Sequence, residues 1–468
     1  MDRNVVLLVL DTVRKDYFDE HAPRLRAKSD LSFEQCRAAS SWSTPSHASM
    51  MTGTLPSEHG IHARNVDFTG LRREDTFLAD LPGYTASGAS TNIFAGTPFG
   101  FDGVFDSFAS MSRHALFPDG LDIDKFLSET DRDSSGRYVE FLRAVAGHEH
   151  PVKSVLNGVF LKLNDVLEPL PLPRLYDYGT ATVSREVLSQ VDDSEGPRFV
   201  FANYMEAHTP LQATRVYDGS LHGVPTDWSS NEVDIFGINN ADDMAQFDEY
   251  FRNFRQLYGT AIDYLDRRLV ALVDEIHERT DRETTVVVTA DHGENLGTEA
   301  DDHLLGHVST LTDATLHVPL EVFNPPEGYD ETVDNYVSHL DLPELLVALA
   351  EGEVANIRRE TVPAERIGLG LSHDPSNYEY WDRMIRCAYR DEEKFEWDSL
   401  GNRYRHRIDY DRASWQERVE TDVEVPSWAL SPFPEDLESY DKRARGGGTD
   451  AEEMDEHTRD QLEELGYL

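Results

Sequence analysis

Three short, almost wholly apolar runs constrain the fold of this chain more than any other feature: "VVLLVL" (Val5 to Leu10), "FVFANY" (Phe199 to Tyr204) and "TVVVTA" (Thr285 to Ala290). A strand with one wet face alternates apolar and polar side chains. A run without alternation needs apolar neighbours on both faces, which is the situation of an inner strand in a parallel sheet covered by helices. Amphipathic segments lie between the runs, the longest at 251–278, "FRNFRQLYGTAIDYLDRRLVALVDEIHE", where apolar residues return every three and four positions. Strands alternating with helices predict a doubly wound α/β layer. Each run is followed closely by polar side chains: Asp11 after the first, Glu206 and His208 after the second, Asp291 and His292 after the third. Ligands of open α/β sheets bind beyond the carboxyl ends of the strands, so these residues are expected to converge.

The 468 residues suit one large domain with a smaller appendage. The reading places the catalytic α/β domain at 1–360, with an insert at about 116–193. Within that insert, "VLNGVFLKLNDVLEPLPLP" (155–173) reads as a lid or packing helix, with docking to a membrane surface or partner as the other use. Beyond 360 the chain alternates like strands, with residues 384–411 turning at Leu400-Gly401-Asn402, and this predicts a small antiparallel C-terminal subdomain over 361–468. A flexible charged linker is expected at about 442–456, followed by a short closing helix. The first apolar run is too short for a membrane span or a signal segment, so a cytoplasmic location is expected.

Acidic residues number 88 against 43 basic ones, a net charge of −45, and only seven of the cations are lysines. Acid spread over the whole chain with lysine nearly absent resembles the surfaces of halophilic proteins, whose self-repulsion is screened at high salt. A field of this sign repels phosphate backbones, and there is no basic stripe, which argues against nucleic acid as a partner. Two cysteines, Cys36 and Cys387, make neither a disulfide framework nor a cysteine metal cluster and read as buried hydrophobes.

The stretch "SSWSTPSHASMMTG" (40–53) places Pro45 in a first helical turn and Gly53 at the helix end, with Ser43 or Thr44 at the mouth. A hydroxyl there faces a positive helix end suited to an ionised nucleophile or an ester oxyanion. Asp11, Asp291 and His292 offer two carboxylates and an imidazole for one divalent cation (Ca, Mg, Mn or Zn), with Ser43 completing the shell. Such an ion lowers the pKa of the nucleophile and neutralises charge on a transferring phosphoryl or sulfuryl group. His208, His303 and His307 are candidates for protonating or hydrogen-bonding the ester oxygens. His303 and His307 stand four apart and would share a face on a helix.

Taken together, "VVLLVLDTVRKDYF", "STPSHASMMTGTLPSEHGI", "FANYMEAHTP", "VVVTADHGENLG", "HVPLEVFN", "VSHLDLPELL" and the closing "LEELGYL" resemble, in order and spacing, the signatures of the sulfatase family in the alkaline phosphatase superfamily. The resemblance implies a three-layer sandwich with a mostly parallel central sheet and a small C-terminal antiparallel sheet. It also implies Asp11, Ser43, Asp291 and His292 as metal positions, with Ser43 as nucleophile.

The departures concern the substrate. The family motif continues with X-Pro-Ser-Arg and marks a residue oxidised to formylglycine; here it reads Ser43-Thr44-Pro45-Ser46-His47, with His47 where arginine would stand. Thr12 replaces the second aspartate, His292 replaces an asparagine, and after "GYTASGA" the expected lysine and histidine give way to Ser90 and Asn92. His47, Asn92 and His303 are therefore taken as substrate-binding candidates, and Ser43, His208 and His307 as catalytic ones. The leading expectation is a metal-dependent hydrolase of sulfate esters, on an anionic small-molecule, glycan or lipid substrate. The alternative uses an unmodified Ser43 for phosphodiester or phosphomonoester hydrolysis, or for phosphoglycerol-type transfer. A non-catalytic binding relative is the third reading.

Overall fold

The computed structural model describes the chain apart from Met1, residues 113–116, 118–119, 122, 124–125, 127–129, 131–136, 168–172, 193–195, 242, 371–374, 446–457 and 460–468. All three apolar runs are strands and they lie side by side. β1 (Asn4–Leu10) is central, parallel to β5 (Arg198–Tyr204) on one side and to β6 (Thr284–Ala290) on the other. Val5 to Leu10 are at most 1% exposed, so both faces of β1 are covered. Burying these six side chains stabilises the fold by roughly 10–15 kcal/mol as an upper estimate.

The full sheet has eight strands in the order β4-β3-β5-β1-β6-β7-β2-β8. Its other members are β2 (Leu31–Arg37), β3 (Thr85–Ser90), β4 (Ser107–Ser110), β7 (Leu320–Phe323) and β8 (Thr332–Ser338). Only β7 runs against its neighbours. Because it reverses direction on both sides, β2 is parallel to β6, and its carboxyl end reaches the same sheet edge as those of β1, β5 and β6. The register pairs Leu10 with both Tyr204 and Ala290, so the three central strands end level.

The long amphipathic segment forms a helix over Asp248–Arg279 that packs on the helix Thr180–Val191 and on the two short helices following β1. Its Tyr258 hydroxyl donates to the Thr12 carbonyl at 2.5 Å and accepts from the Arg14 N–H at 3.0 Å, clamping the turn that follows β1. That turn is tight, with Thr12 at φ 62°.

After residue 360 the expected antiparallel sheet is present as a meander in the order β13-β12-β11-β10-β9. Its strands are β9 (Val362–Ile367), β10 (Met384–Arg390), β11 (Glu393–Asp398), β12 (Arg403–Ile408) and β13 (Gln416–Thr421), and Gly401 at φ 90° makes the β11–β12 turn. The linker expected from about 442 begins later, because Lys442 to Ala444 belong to the helix Leu437–Ala444. The remainder of that linker and nearly all of the closing segment lie outside the described residues. Among the described residues, no helix is long and apolar enough to cross a membrane.

Candidate nucleophile and metal site

The chain leaves β2 at Arg37 and enters the helix Ser43–Thr52 through Trp42, whose backbone is extended at φ −154°. Pro45 presets the first turn and Gly53, at φ 71°, ends the helix in the left-handed conformation that glycine tolerates. Ser43 thus sits at the positive end of the helix, over the sheet edge where β1, β5 and β6 finish. Its hydroxyl is 3.4 Å from Asp11 Oδ2 and 3.4 Å from His292 Nε2.

Each acidic residue is half tied down. Asp11 Oδ2 accepts from Asn92 Nδ2 at 2.5 Å, and Asp291 Oδ1 accepts from the N–H groups of Thr12 (3.1 Å) and His292 (2.9 Å). Asp11 Oδ1 and Asp291 Oδ2 are buried with no hydrogen-bond partner. The imidazole of His292 lies 2.9 Å from the Gly293 carbonyl through Nδ1; with the proton assigned there, Nε2 presents its lone pair towards Ser43. Gly293 is required at this point, since a Cβ would come within 2.1 Å of the Ala314 carbonyl oxygen.

One ligand atom each from Asp11, Asp291 and His292 lie within 4.8 Å of one another, and all three residues are fully buried. Leaving two carboxylate oxygens unpaired away from water is costly, and a divalent cation satisfies both. The donor set therefore fits a metal ion, with the Ser43 hydroxyl placed to join it. Burial and the neighbouring Asp291 carboxylate push Asp11 well above the usual carboxylate range. Burial acts the same way on Asp291, but His292 and His47 outweigh it and hold Asp291 low. Burial also pushes His292 down to about 4, in keeping with a neutral ligand.

The remaining expected residues fall at different depths. Asn92, just past β3, holds Asp11. His47 lies behind the nucleophile: its Nδ1 is 2.7 Å from the Ser43 carbonyl, its Nε2 is 3.3 Å from Asn203 Nδ2, and its ring meets Phe101 and Phe201 edge-on. His208, His307 and His292 form a row, with ring centroids 5.3 and 4.7 Å apart. His307 has a side chain 11% exposed and is held by Glu294 at 3.2 Å, which places it at the rim.

His303 departs from the helix expected for "DDHLLGH". Asp302 and His303 have successive positive φ values of 54° and 61°, which an α-helix excludes. His303 is exposed, and no contact among the described residues joins it to this group. Glu206 turns away from the site, accepting from Tyr178 N–H, Thr180 and Tyr217.

Arg366 on β9 was not foreseen. It is 2% exposed, lies 5.1 Å over the Trp42 ring, and its charge helps depress His292. Nothing in the local sequence marks it, because it reaches this region from the other sheet.

Two buried carboxylates, an imidazole and a helix-mouth hydroxyl beyond the carboxyl edge of a mostly parallel sheet define an ester-cleaving α/β enzyme of the alkaline phosphatase type. The particular family follows from comparison. A family model described as Sulfatase matches residues 3–352, and the chain belongs to the sulfatase family. An uncharacterized sulfatase, YidJ of Escherichia coli (strain K12), is 24% identical over 200 residues, spanning 39% of this chain and only 36% of that protein's length. The fold is similar to that of a phosphonate monoester hydrolase from Silicibacter pomeroyi (TM-score 0.57, 16% identity, 84% of this chain and 86% of that one). It is also similar to that of a 2-O GAG sulfatase (TM-score 0.56, 13% identity, 87% and 85%).

Proposed function

We propose that the protein is a metal-dependent hydrolase of sulfate esters in which Ser43 carries the nucleophilic oxygen. The observation behind this reading is the placement of the Ser43 hydroxyl 3.4 Å from both Asp11 and His292, at a helix mouth, beside two carboxylate oxygens that no protein group satisfies. A divalent ion held by Asp11, Asp291 and His292 would supply Lewis-acid stabilisation of the ester oxygens and a lowered nucleophile pKa. The protein's own residues do the rest. The helix dipole favours the alkoxide form of Ser43. His47 and Asn203 fix the backbone behind Ser43, and Asn92 orients Asp11. His307, at the rim and held by Glu294, is placed to hydrogen-bond or protonate the leaving oxygen, with His208 behind it.

Charge balance narrows the substrate. Two carboxylates against one divalent ion leave the centre near neutral, and His47 stands where the family motif has a permanent guanidinium charge. A monoanionic ester suits such a centre better than a dianion. Sulfate monoesters fit, and so do phosphodiesters and phosphonate monoesters, which form the second reading. That second reading is favoured by His47, because loss of the motif arginine leaves Ser43 an ordinary alcohol. An alcohol nucleophile forms a serine phosphoester or phosphonoester that water resolves, or an acceptor alcohol in the transfer variant.

The mass of the Ser43 peptide, combined with turnover of p-nitrophenyl sulfate and of bis-p-nitrophenyl phosphate, tests both readings. Loss of two hydrogens at Ser43 with sulfate ester turnover supports the first. An intact serine with phosphodiester turnover moves the assignment to the second. Ser43→Ala lowers turnover by about 10³-fold or more with the fold intact; an S43A enzyme of full activity rejects both.

A further inference from the structure

The two helices of the insert, Arg137–Gly147 and Pro151–Leu167, are turned inside out. On the second, the polar residues Ser154 and Asn157 are the buried ones, 0% and 2% exposed. The Ser154 hydroxyl accepts from the Leu121 N–H and donates to the His150 carbonyl, each at 2.8 Å. Asn157 accepts from the Phe117 N–H at 3.0 Å and donates to the Phe117 carbonyl at 2.9 Å. Gly158 receives the Phe141 ring of the first helix, where a Cβ would come within 2.4 Å of that ring. The face left to solvent is a stripe of Val152, Val155, Leu156, Val159 and Leu163, with Val152 71% and Val159 59% exposed. Leu142 and Val139 of the first helix are exposed as well. A surface helix ordinarily shows water its polar side, and an exposed apolar stripe of this kind marks an interaction surface.

The charge of this element also departs from the rest of the chain. Across a protein with 88 acidic and 43 basic residues, residues 151–163 hold two of its seven lysines, Lys153 and Lys162, and no carboxylate. Arg143 on the first helix adds a third cation. The insert leaves the sheet after β4 and returns at Tyr178, whose N–H donates to Glu206 just beyond β5. It is therefore rooted at the same sheet edge as the Ser43 site.

We propose that this helix pair docks the protein on the surface of an anionic lipid bilayer. The valines and leucines enter the boundary of the acyl chains, and the lysines meet the negative headgroups. The element lies on the bilayer and does not span it. A second copy of the chain is a poor occupant: a two-fold interface would set the patch against itself, lysine facing lysine, between two strongly acidic bodies.

The test is co-sedimentation of the whole protein with vesicles of equimolar phosphatidylglycerol and phosphatidylcholine, or of phosphatidylcholine alone, in about 0.1 M and about 1 M KCl. Circular dichroism at each salt confirms the fold. The wild type is expected to sediment with the anionic vesicles and much less with the neutral ones. The double variant Lys153→Gln/Lys162→Gln loses about 20-fold in partitioning at the lower salt and little at the higher, where headgroup attraction is screened. Val152→Glu/Val159→Glu loses at least about 10-fold at both. Failure of the wild type to bind anionic vesicles overturns the proposal, as does undiminished binding by the glutamate variant. A dimer that the glutamate variant dissociates, without vesicle binding, overturns it in favour of self-association. The readout is binding, not turnover, so its failure leaves the reading of the Ser43 site untouched.

Discussion

The two oxygens of the Asp291 side chain have different surroundings: Oδ1 takes two backbone N–H groups, while Oδ2 faces the centre of the site without a partner. Replacing it with asparagine keeps the first acceptor and puts an NH₂ group, which cannot ligate a cation, in place of the second. Asp291→Asn is therefore expected to fold normally but to purify with less than about a tenth of the wild-type metal content by elemental analysis. Bound ligand stabilises by mass action, about 2.7 kcal/mol at a hundredfold excess over its Kd. Added Mn or Zn should thus raise the melting temperature of the wild type and leave D291N flat. A variant that still melts higher with metal would show that the ion binds elsewhere.

At the scale of elements, the two sheets are joined by a buried ion pair. Arg37, at the end of β2, donates to Asp313 at 2.8 Å, both side chains being 1% exposed, and its guanidinium stacks over Tyr336 of β8 and Tyr389 of β10. The Asp313 N–H donates to Gln416 of β13, which also accepts from Lys394 of β11. Burial works to raise the pKa of Asp313, but Arg37 outweighs it and holds the carboxyl well below its ordinary range. The folded state thus favours the charged form; the stability this contributes is complete above the unfolded pKa of about 3.9 and is lost as pH falls below it. Arg37→Met strands the carboxylate and should cost about 3 kcal/mol in urea unfolding at pH 7. It should also abolish the loss of stability that the wild type shows below about pH 4. An R37M protein with the wild-type acid limb would place that limb in other carboxylates.

The elements that position the site were the legible ones, because strands buried on both faces leave an uninterrupted apolar signature and each ligand follows such a strand directly. Asp11, His208, Asp291 and His292 could be read for that reason, and Ser43 from the proline and glycine that bracket its helix. Arg366 could not, since its nearness to Trp42 depends on how the second sheet docks, which leaves no periodic trace. The four-residue spacing of His303 and His307 misled because spacing alone does not distinguish a helix from a loop with left-handed residues. The insert helices kept a helical period, but the period does not say which face is covered; the hydrogen bonds of Ser154 and Asn157 decide that.

For the whole molecule, the dominant quantity is the net charge of −45. Repulsion among surface carboxylates acts over about 10 Å at 0.1 M salt and about 3 Å at 1 M. The melting temperature should therefore rise by on the order of 10 °C between these conditions. Potassium chloride and sodium chloride should act alike, since the effect is screening. A melting temperature independent of salt would mean that the acidic surface has no self-repulsion to relieve.

The position of β1 at the middle of the sheet has a further consequence, for synthesis of the protein. Residues 4–10 leave the ribosome among the first, yet the strands on either side of them begin at Arg198 and Thr284. At about 5–20 residues per second, the segment "VVLLVL" waits roughly 10 to 60 seconds for its partners. Through that interval the most apolar strand of the molecule is an open edge on a growing chain, so folding of this enzyme depends on whatever shields its first ten residues until more than half of the chain has been made.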